Sequence, residues 1–235
     1  MEETKMKTIG LLGGMSWESS ADYYRLINET IKTKLGGLHS AKCILFSVDF
    51  QEIEACQFSN QWDKSADLLA QACLSLEKAG ADYIVICTNT MHKVANEIQA
   101  RISIPILHIA KVTATELKQH TIKRVGLLGT KFTMEEDFYK QIIQDHDIDV
   151  IIPNSSERER ISSIIYEELC LGQITPQSKK FYLDVIHNLH QQGAQGIILG
   201  CTEIGMLIKQ VDTTVPLFDT TKIHAVQAAL ASLEK

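Results

Sequence analysis

Three segments of this chain occur twice, in the same order and at nearly constant separation. Lys7-Thr-Ile-Gly-Leu-Leu-Gly-Gly14 matches Lys123-Arg-Val-Gly-Leu-Leu-Gly-Thr130. Gly80-Ala-Asp-Tyr-Ile-Val-Ile-Cys-Thr88 matches Gly193-Ala-Gln-Gly-Ile-Ile-Leu-Gly-Cys201. Ile104-Pro-Ile106 resembles Val215-Pro-Leu217. One such match arises easily by chance. Three in register constrain the chain to two structurally similar halves.

Each half alternates short apolar runs with helical patterns. Ile9–Leu12, Ile44–Val48 and Tyr83–Ile86 read as buried strands, as do Val125–Leu128, Val150–Ile152 and Ile197–Leu199. Ser16 is placed to cap a helix running through Tyr24, Ile27 and Ile31 to Gly36-Gly37. Thr133-x-x-Glu136 reads as a capping box opening a helix through Ile142, and Leu68–Ala79 and Lys179–Gln192 read as further helices. The pattern predicts an α/β protein of two pseudo-symmetric domains, each a parallel sheet flanked by helices on both faces. The expected domains are 1–104 with 212–235, and 105–211. Ligands of such sheets bind beyond the carboxyl ends of the strands. That places the active site in the interdomain cleft, lined by Gly13–Trp17, Thr88–His92, Gly129–Thr133 and Gly200–Glu203.

The formal net charge of −6 and the lack of a basic stretch argue against a nucleic-acid partner. Cys43, Cys56, Cys73, Cys87, Cys170 and Cys201 form no C-x-x-C pair, so no metal site is expected. No segment approaches membrane-spanning length and the first residues hold no long apolar run, so no membrane partner and a reduced, cytoplasmic protein are expected.

Gly13-Gly14 lies between a strand and a helix but fits neither G-x-G-x-x-G nor a P-loop. It is either an anion-approach turn or a plain tight turn. The repeat sets Thr88 opposite Cys201, followed by Asn89-Thr90 and Thr202-Glu203. These polar pairs either cap the next helices or hold a substrate carboxylate. Cys201 stands apart from the other cysteines because a following helix N-terminus would lower its pKa. Cys43, Cys56, Cys73 and Cys170 lack that setting and read as structural. His187-x-x-His190 lies on an ordinary amphipathic helix without a third ligand and reads as solvent-facing.

Taken together, Gly-Leu-Leu-Gly-Gly-Met-Ser (10–16), Thr-Asn-Thr-Met-His (88–92), Leu-Gly-Thr (128–130) and Gly-Cys-Thr-Glu (200–203) resemble the aspartate/glutamate racemase family. The resemblance implies amino-acid substrates, no cofactor and in particular no pyridoxal phosphate, a homodimer, and two thiols acting on opposite faces of the substrate Cα. This chain departs from that pattern. The family's first motif is Cys-Asn-Thr, and here its cysteine position is Thr88. Cys87 lies one residue earlier and should point to the other face of the strand. Thr88 and Cys201 are therefore the expected catalytic pair, an arrangement shared with a similar subgroup. Met15, Ser16, Asn89, Thr90, Thr130 and Thr202 are the expected substrate-binding residues. Gln57 joins them, standing where strict aspartate racemases place an arginine for the distal carboxylate.

A hydroxyl is not a base at neutral pH, so Cys201 is expected to remove the Cα proton and Thr88 to return one to the opposite face. His92 reads either as a proton relay to Thr88 or as a packing residue. The expected activity is racemisation of aspartate or glutamate, with a broader racemase (homoserine, for example) next. A single-cysteine decarboxylase of malonate-type acids and a non-catalytic amino-acid-binding protein are the rivals.

Overall fold

A computed structural model describes residues 6–234; residues 1–5 and 235, the ends of the expected first domain, lie outside the described residues. The elements run β1 (Ile9–Gly13), α1 (Trp17–Leu35), β2 (Cys43–Ser47), α2 (Phe50–Phe58), α3 (Trp62–Lys78), β3 (Tyr83–Ile86), α4 (Ala95–Gln99) and α5 (Ile109–Gln119). They continue with β4 (Arg124–Gly129), α6 (Lys131–Glu135), α7 (Asp137–Gln144), β5 (Asp149–Ile151), α8 (Ser155–Glu167) and α9 (Pro176–Gln191). The last are β6 (Ile197–Gly200), α10 (Ile204–Leu207), β7 (Leu217–Asp219) and α11 (Thr220–Ala231).

The chain divides into two compact units. One runs through His108 and resumes at His224; the other is Ile109–Ile223. The first unit holds a parallel sheet of order β2-β1-β3, and the second a parallel sheet of order β5-β4-β6-β7. The return to the first unit comes at His224, later in the chain than the expected residue 212. The cause is Leu217–Asp219, which pairs with Ile197–Leu199 and so belongs to the second sheet.

The duplication holds at the level of register. Gly10 lies opposite Ile84, and Gly126 opposite Ile197. Ile106 makes a parallel bridge to Ile84, as Leu217 pairs with Ile197. The glycines are conserved between the halves for a steric reason. A Cβ on Gly10 would lie 2.9 Å from Ile84 Cδ1, and one on Gly126 would lie 2.6 Å from Ile197 Cδ1.

Strand alternation builds two apolar layers on the first sheet. Ile9, Leu11, Tyr83 and Val85 pack with Tyr23, Ile27 and Ile31 of α1 and with Ala225, Ala228 and Ala229 of α11. Leu12, Ile84 and Ile86 pack with Leu69, Cys73 and Leu76 of α3 and Ile98 of α4. Helices therefore cover both faces, as the alternating pattern predicts. In the second unit Val125, Leu127 and Ile198 share one core with Leu117, Ile161, Val185 and Leu189.

Ser16 caps α1, accepting from the Ser19 amide, and Gly36 ends it at φ 72°. The expected capping box at Thr133 is not formed. Thr130 caps the shorter α6, and Glu136, in extended conformation, separates α6 from α7. Two short helices replace the single one expected. His187 and His190 are exposed, as anticipated. Among the described residues no cluster of metal-ligating side chains occurs, and no helix is long and apolar enough to cross a membrane.

Candidate active site

In the first unit the strand ends carry Gly13–Ser16 after β1 and Cys87–His92 after β3. Gly14 (φ 93°) is required by close packing, since a Cβ there would lie 2.2 Å from the Val48 carbonyl oxygen. Its N–H donates to Ser20 Oγ at 2.8 Å. This glycine therefore serves a tight turn, and its amide already has a partner within the protein. Ser16 Oγ accepts from the Ser19 amide at 3.3 Å. Met15 is buried in the apolar layer with Leu12 and Ile53, which accounts for its side chain by packing.

The Thr88 turn is held through its carbonyls. Thr88 N–H donates to Ile86 O at 2.9 Å. Ser19 Oγ donates to Cys87 O at 2.9 Å, tying the start of α1 to the end of β3. His92 Nδ1 lies 2.8 Å from Thr88 O, and His92 N–H donates to Asn89 O at 3.0 Å. Thr88 is half-buried, while Asn89, Thr90 and His92 are buried. Asn89 precedes a short 3-10 turn, Thr90–Val94, but its side chain does not cap it. Cys87 packs with Tyr83 and Val85 on the α1 face, and burial pushes its thiol well up. The expected opposition of Cys87 and Thr88 is thus met on the core side. Gln57 is buried, and its Nε2 donates to the Met91 thioether at 3.0 Å, which joins α2 to the turn after Thr88.

In the second unit Gly129 and Gly200 lie side by side at the ends of β4 and β6. Thr130 is buried; its Oγ1 accepts from the Thr133 amide at 3.3 Å and lies 3.2 Å from Thr133 Oγ1. Cys201 follows β6. Its Sγ donates to Glu203 Oε2 at 2.9 Å, and Thr202 Oγ1 donates to the same oxygen at 2.6 Å.

These contacts change the expected electrostatics of Cys201. The following helix, α10, has only one turn, and Glu203 at its N-cap makes no side-chain cap bond. The thiol is instead held well above its ordinary value, first by burial and then by the negative charge of Glu203. The expected lowering does not occur. Glu203 is the residue that sequence reasoning missed. It reads there as a helix cap, whereas its carboxylate faces the thiol.

The residues assemble as two groups. Ser16, Gln57, Thr88, Asn89, Thr90 and His92 gather at the carboxyl end of the first sheet. Thr130, Cys201 and Thr202, with Glu203, do so at the end of the second. The first group supplies hydroxyl, amide and imidazole; the second supplies a thiol beside a buried carboxylate. The second can exchange a proton between sulfur and oxygen over 2.9 Å.

Comparison with known proteins places the chain in a family. The family model for Asp/Glu/hydantoin racemases matches residues 12–228. The broad specificity amino-acid racemase RacX of Bacillus subtilis (strain 168) is 22% identical over 223 residues, which span 91% of this chain and 92% of that protein. A solved structure of an Asp/Glu racemase-type protein from Yersinia pestis is 54% identical with a TM-score of 0.90, covering 97% of this chain and 100% of that one. An aspartate racemase homologue from Pyrococcus horikoshii OT3 is 33% identical with a TM-score of 0.84, over 97% and 100% of the two chains. The match runs through both units and both strand-end groups, and the chain belongs to the Asp/Glu/hydantoin racemase family.

Proposed function

We propose that the chain is a cofactor-independent amino-acid racemase that uses Cys201 and Thr88 as its two proton-transfer groups, with aspartate or glutamate as substrate. The observation that carries the reading is the hydrogen bond from Cys201 Sγ to Glu203 Oε2 at 2.9 Å. A thiol held up by burial needs an acceptor before it can act as a base, and Glu203 is that acceptor.

The protons balance as follows. The Cys201 proton passes to the Glu203 carboxylate, leaving a thiolate. The thiolate takes the Cα proton and becomes a thiol again. The electron pair is left on Cα and delocalises into the substrate carboxylate, where amide and hydroxyl donors stabilise it. Thr88 Oγ1 gives its proton to the opposite face and regains one from water, and Glu203 releases the proton it took from Cys201 to the hydroxide so formed, which restores the starting state. Because Thr88 has no populated alkoxide at neutral pH, abstraction belongs to Cys201 and delivery to Thr88, and the two directions differ in initial rate at saturating substrate, with kcat/KM equal. The equilibrium between enantiomers is unaffected, since they have equal free energy in achiral solvent.

A broader substrate range is the second reading, and Gln57 favours it. A buried neutral amide facing Met91 offers no charge to a distal carboxylate, which costs affinity for acidic side chains relative to neutral ones. Six free thiols suit a reducing, cytoplasmic setting. Exposed Leu45 and Phe46 on β2, an edge strand of its sheet, suit a homodimer.

The test is chiral analysis of aspartate, glutamate, homoserine, methionine and alanine incubated with the purified protein and no added cofactor. Appearance of the opposite enantiomer supports the reading and ranks the side chains. Decarboxylation of a malonate-type acid, with no enantiomer formed across the panel, would replace it with a lyase.

A further inference from the structure

Beside the Thr88 turn the first unit buries an aromatic and imidazole cluster that the reaction above does not use. His92 packs against His108 at 4.5 Å between ring centroids and against His224 at 5.8 Å. His224 Nε2 lies 2.7 Å from Leu107 O, and its Nδ1 lies 2.8 Å from Tyr23 Oη. A carbonyl oxygen only accepts, so each imidazole must bring a hydrogen to its carbonyl. His92 is therefore the Nδ1–H tautomer, donating to Thr88 O. His224 is the Nε2–H tautomer, leaving Nδ1 to accept from the Tyr23 hydroxyl. Burial and the neighbouring imidazoles hold His92 neutral.

The duplication shows that folding of such a turn does not need this histidine. Thr88 corresponds to Cys201, so His92, four residues on, corresponds to Gly205. Ile106 corresponds to Leu217, so His108, two residues on, corresponds to Asp219. The His92–His108 packing of the first unit thus has its counterpart in Gly205 and Asp219 of the second. There a Cβ on Gly205 would lie 2.8 Å from Asp219 Oδ2. The carbonyl of Cys201 is held by a backbone donor, the Ile204 amide at 3.1 Å. One half closes its turn with a glycine, and the other places a donor ring on the carbonyl of its candidate proton donor.

We propose that His92 is a positioning residue for Thr88: its Nδ1–H fixes the Thr88 carbonyl and so sets where the Thr88 hydroxyl stands. This rests on the reading that Thr88 delivers a proton. It assigns His92 a positioning role in place of a relay, because the nitrogen nearest Thr88 is committed to the backbone.

The test separates exchange from inversion. In D₂O, Cys201 alone can remove a proton and return deuterium to the same face, whereas inversion needs Thr88. The ratio of inversion to Cα exchange is measured for wild type, Thr88→Val, and His92→Gly, His92→Asn and His92→Gln. Thr88→Val is expected to lower the ratio. His92→Gly and His92→Gln are expected to lower it by at least about tenfold, the scale on which misplacement of a reacting group acts. His92→Asn carries an amide at the Nδ1 position and is expected to recover most of the loss, at an unchanged KM. ¹⁵N spectra of histidine-labelled wild type should show His92 as the Nδ1–H tautomer. If Thr88→Val lowers the ratio but asparagine and glutamine at 92 leave it at the wild-type value, the positioning role is wrong while the Thr88 reading stands. If Thr88→Val itself leaves the ratio unchanged, the Thr88 reading fails and the positioning role falls with it.

Discussion

Cys201 and Glu203 share one proton position: the thiol donates to Glu203 Oε2 at 2.9 Å, and Thr202 donates to the same oxygen. Glu203→Gln preserves the size of the side chain and removes the proton acceptor. The account predicts a fall in kcat on the order of 10²-fold, within the range of general-base losses, with little change in KM. Initial rates with the best substrate of the chiral panel measure it.

The same pair fixes how the thiol titrates. Burial and the Glu203 charge both raise Cys201, so the thiolate population, and with it the rate of alkylation by iodoacetamide, rises only on the alkaline side of neutrality. In Glu203→Gln the charge contribution of Glu203 is removed while burial remains, and the alkylation profile should move to lower pH. Cys201→Ala serves as the blank for the other cysteines. A profile that stays in place would mean that Glu203 does not bear on the thiol, and one that moves to higher pH would mean that Glu203 lowers the thiol instead of raising it.

The buried imidazoles make stability sensitive to acid. His224 is pulled from 6.5 down to about 3, chiefly by burial, and His92 is lowered in the same sense. A depressed pKa means that the unfolded chain binds the proton first. The stabilisation is fully present above about pH 6.5 and is lost as pH falls toward the folded-state values. At pH 4 His224 alone accounts for about 3 kcal/mol by this linkage. Urea midpoints should fall steeply between pH 6.5 and 4, and less steeply in His224→Gln.

The paired glycines of the two sheets give a stability test that does not involve the active site. Gly10→Ala and Gly126→Ala would each press a methyl group onto an isoleucine, at 2.9 Å and 2.6 Å respectively. Each should cost about 1–3 kcal/mol, the usual penalty of overpacking. Thermal unfolding of the two variants should show a loss in each, with Gly10→Ala also pressing on the Ala81 Cβ at 2.9 Å.

The strands were legible because a buried parallel strand must be a short apolar run, and the duplication showed which runs correspond. Tyr83–Ile86 matches its predicted bounds, and Ser16 and Gly36 bound α1 as capping chemistry requires. Leu217–Asp219 was not legible as a strand of the second sheet, because three residues carry too little pattern to say which sheet they join. Hydroxyl residues stand at both Thr130 and Thr133, and local spacing does not choose between them as the cap, which the fold places at Thr130. The role of Glu203 depends on which way one carboxylate turns. The Tyr23–His92–His108–His224 cluster is drawn from four distant parts of the chain, and only the fold assembles it.

The most direct test of the central claim is Cα exchange in D₂O, followed by NMR, for wild type and for Cys201→Ala, with L- and D-substrate taken separately. The account predicts exchange and inversion by the wild type without cofactor, unequal initial rates from the two enantiomers at saturating substrate, and loss of both processes in Cys201→Ala. Exchange that persists in Cys201→Ala would contradict it, because the base would then lie elsewhere.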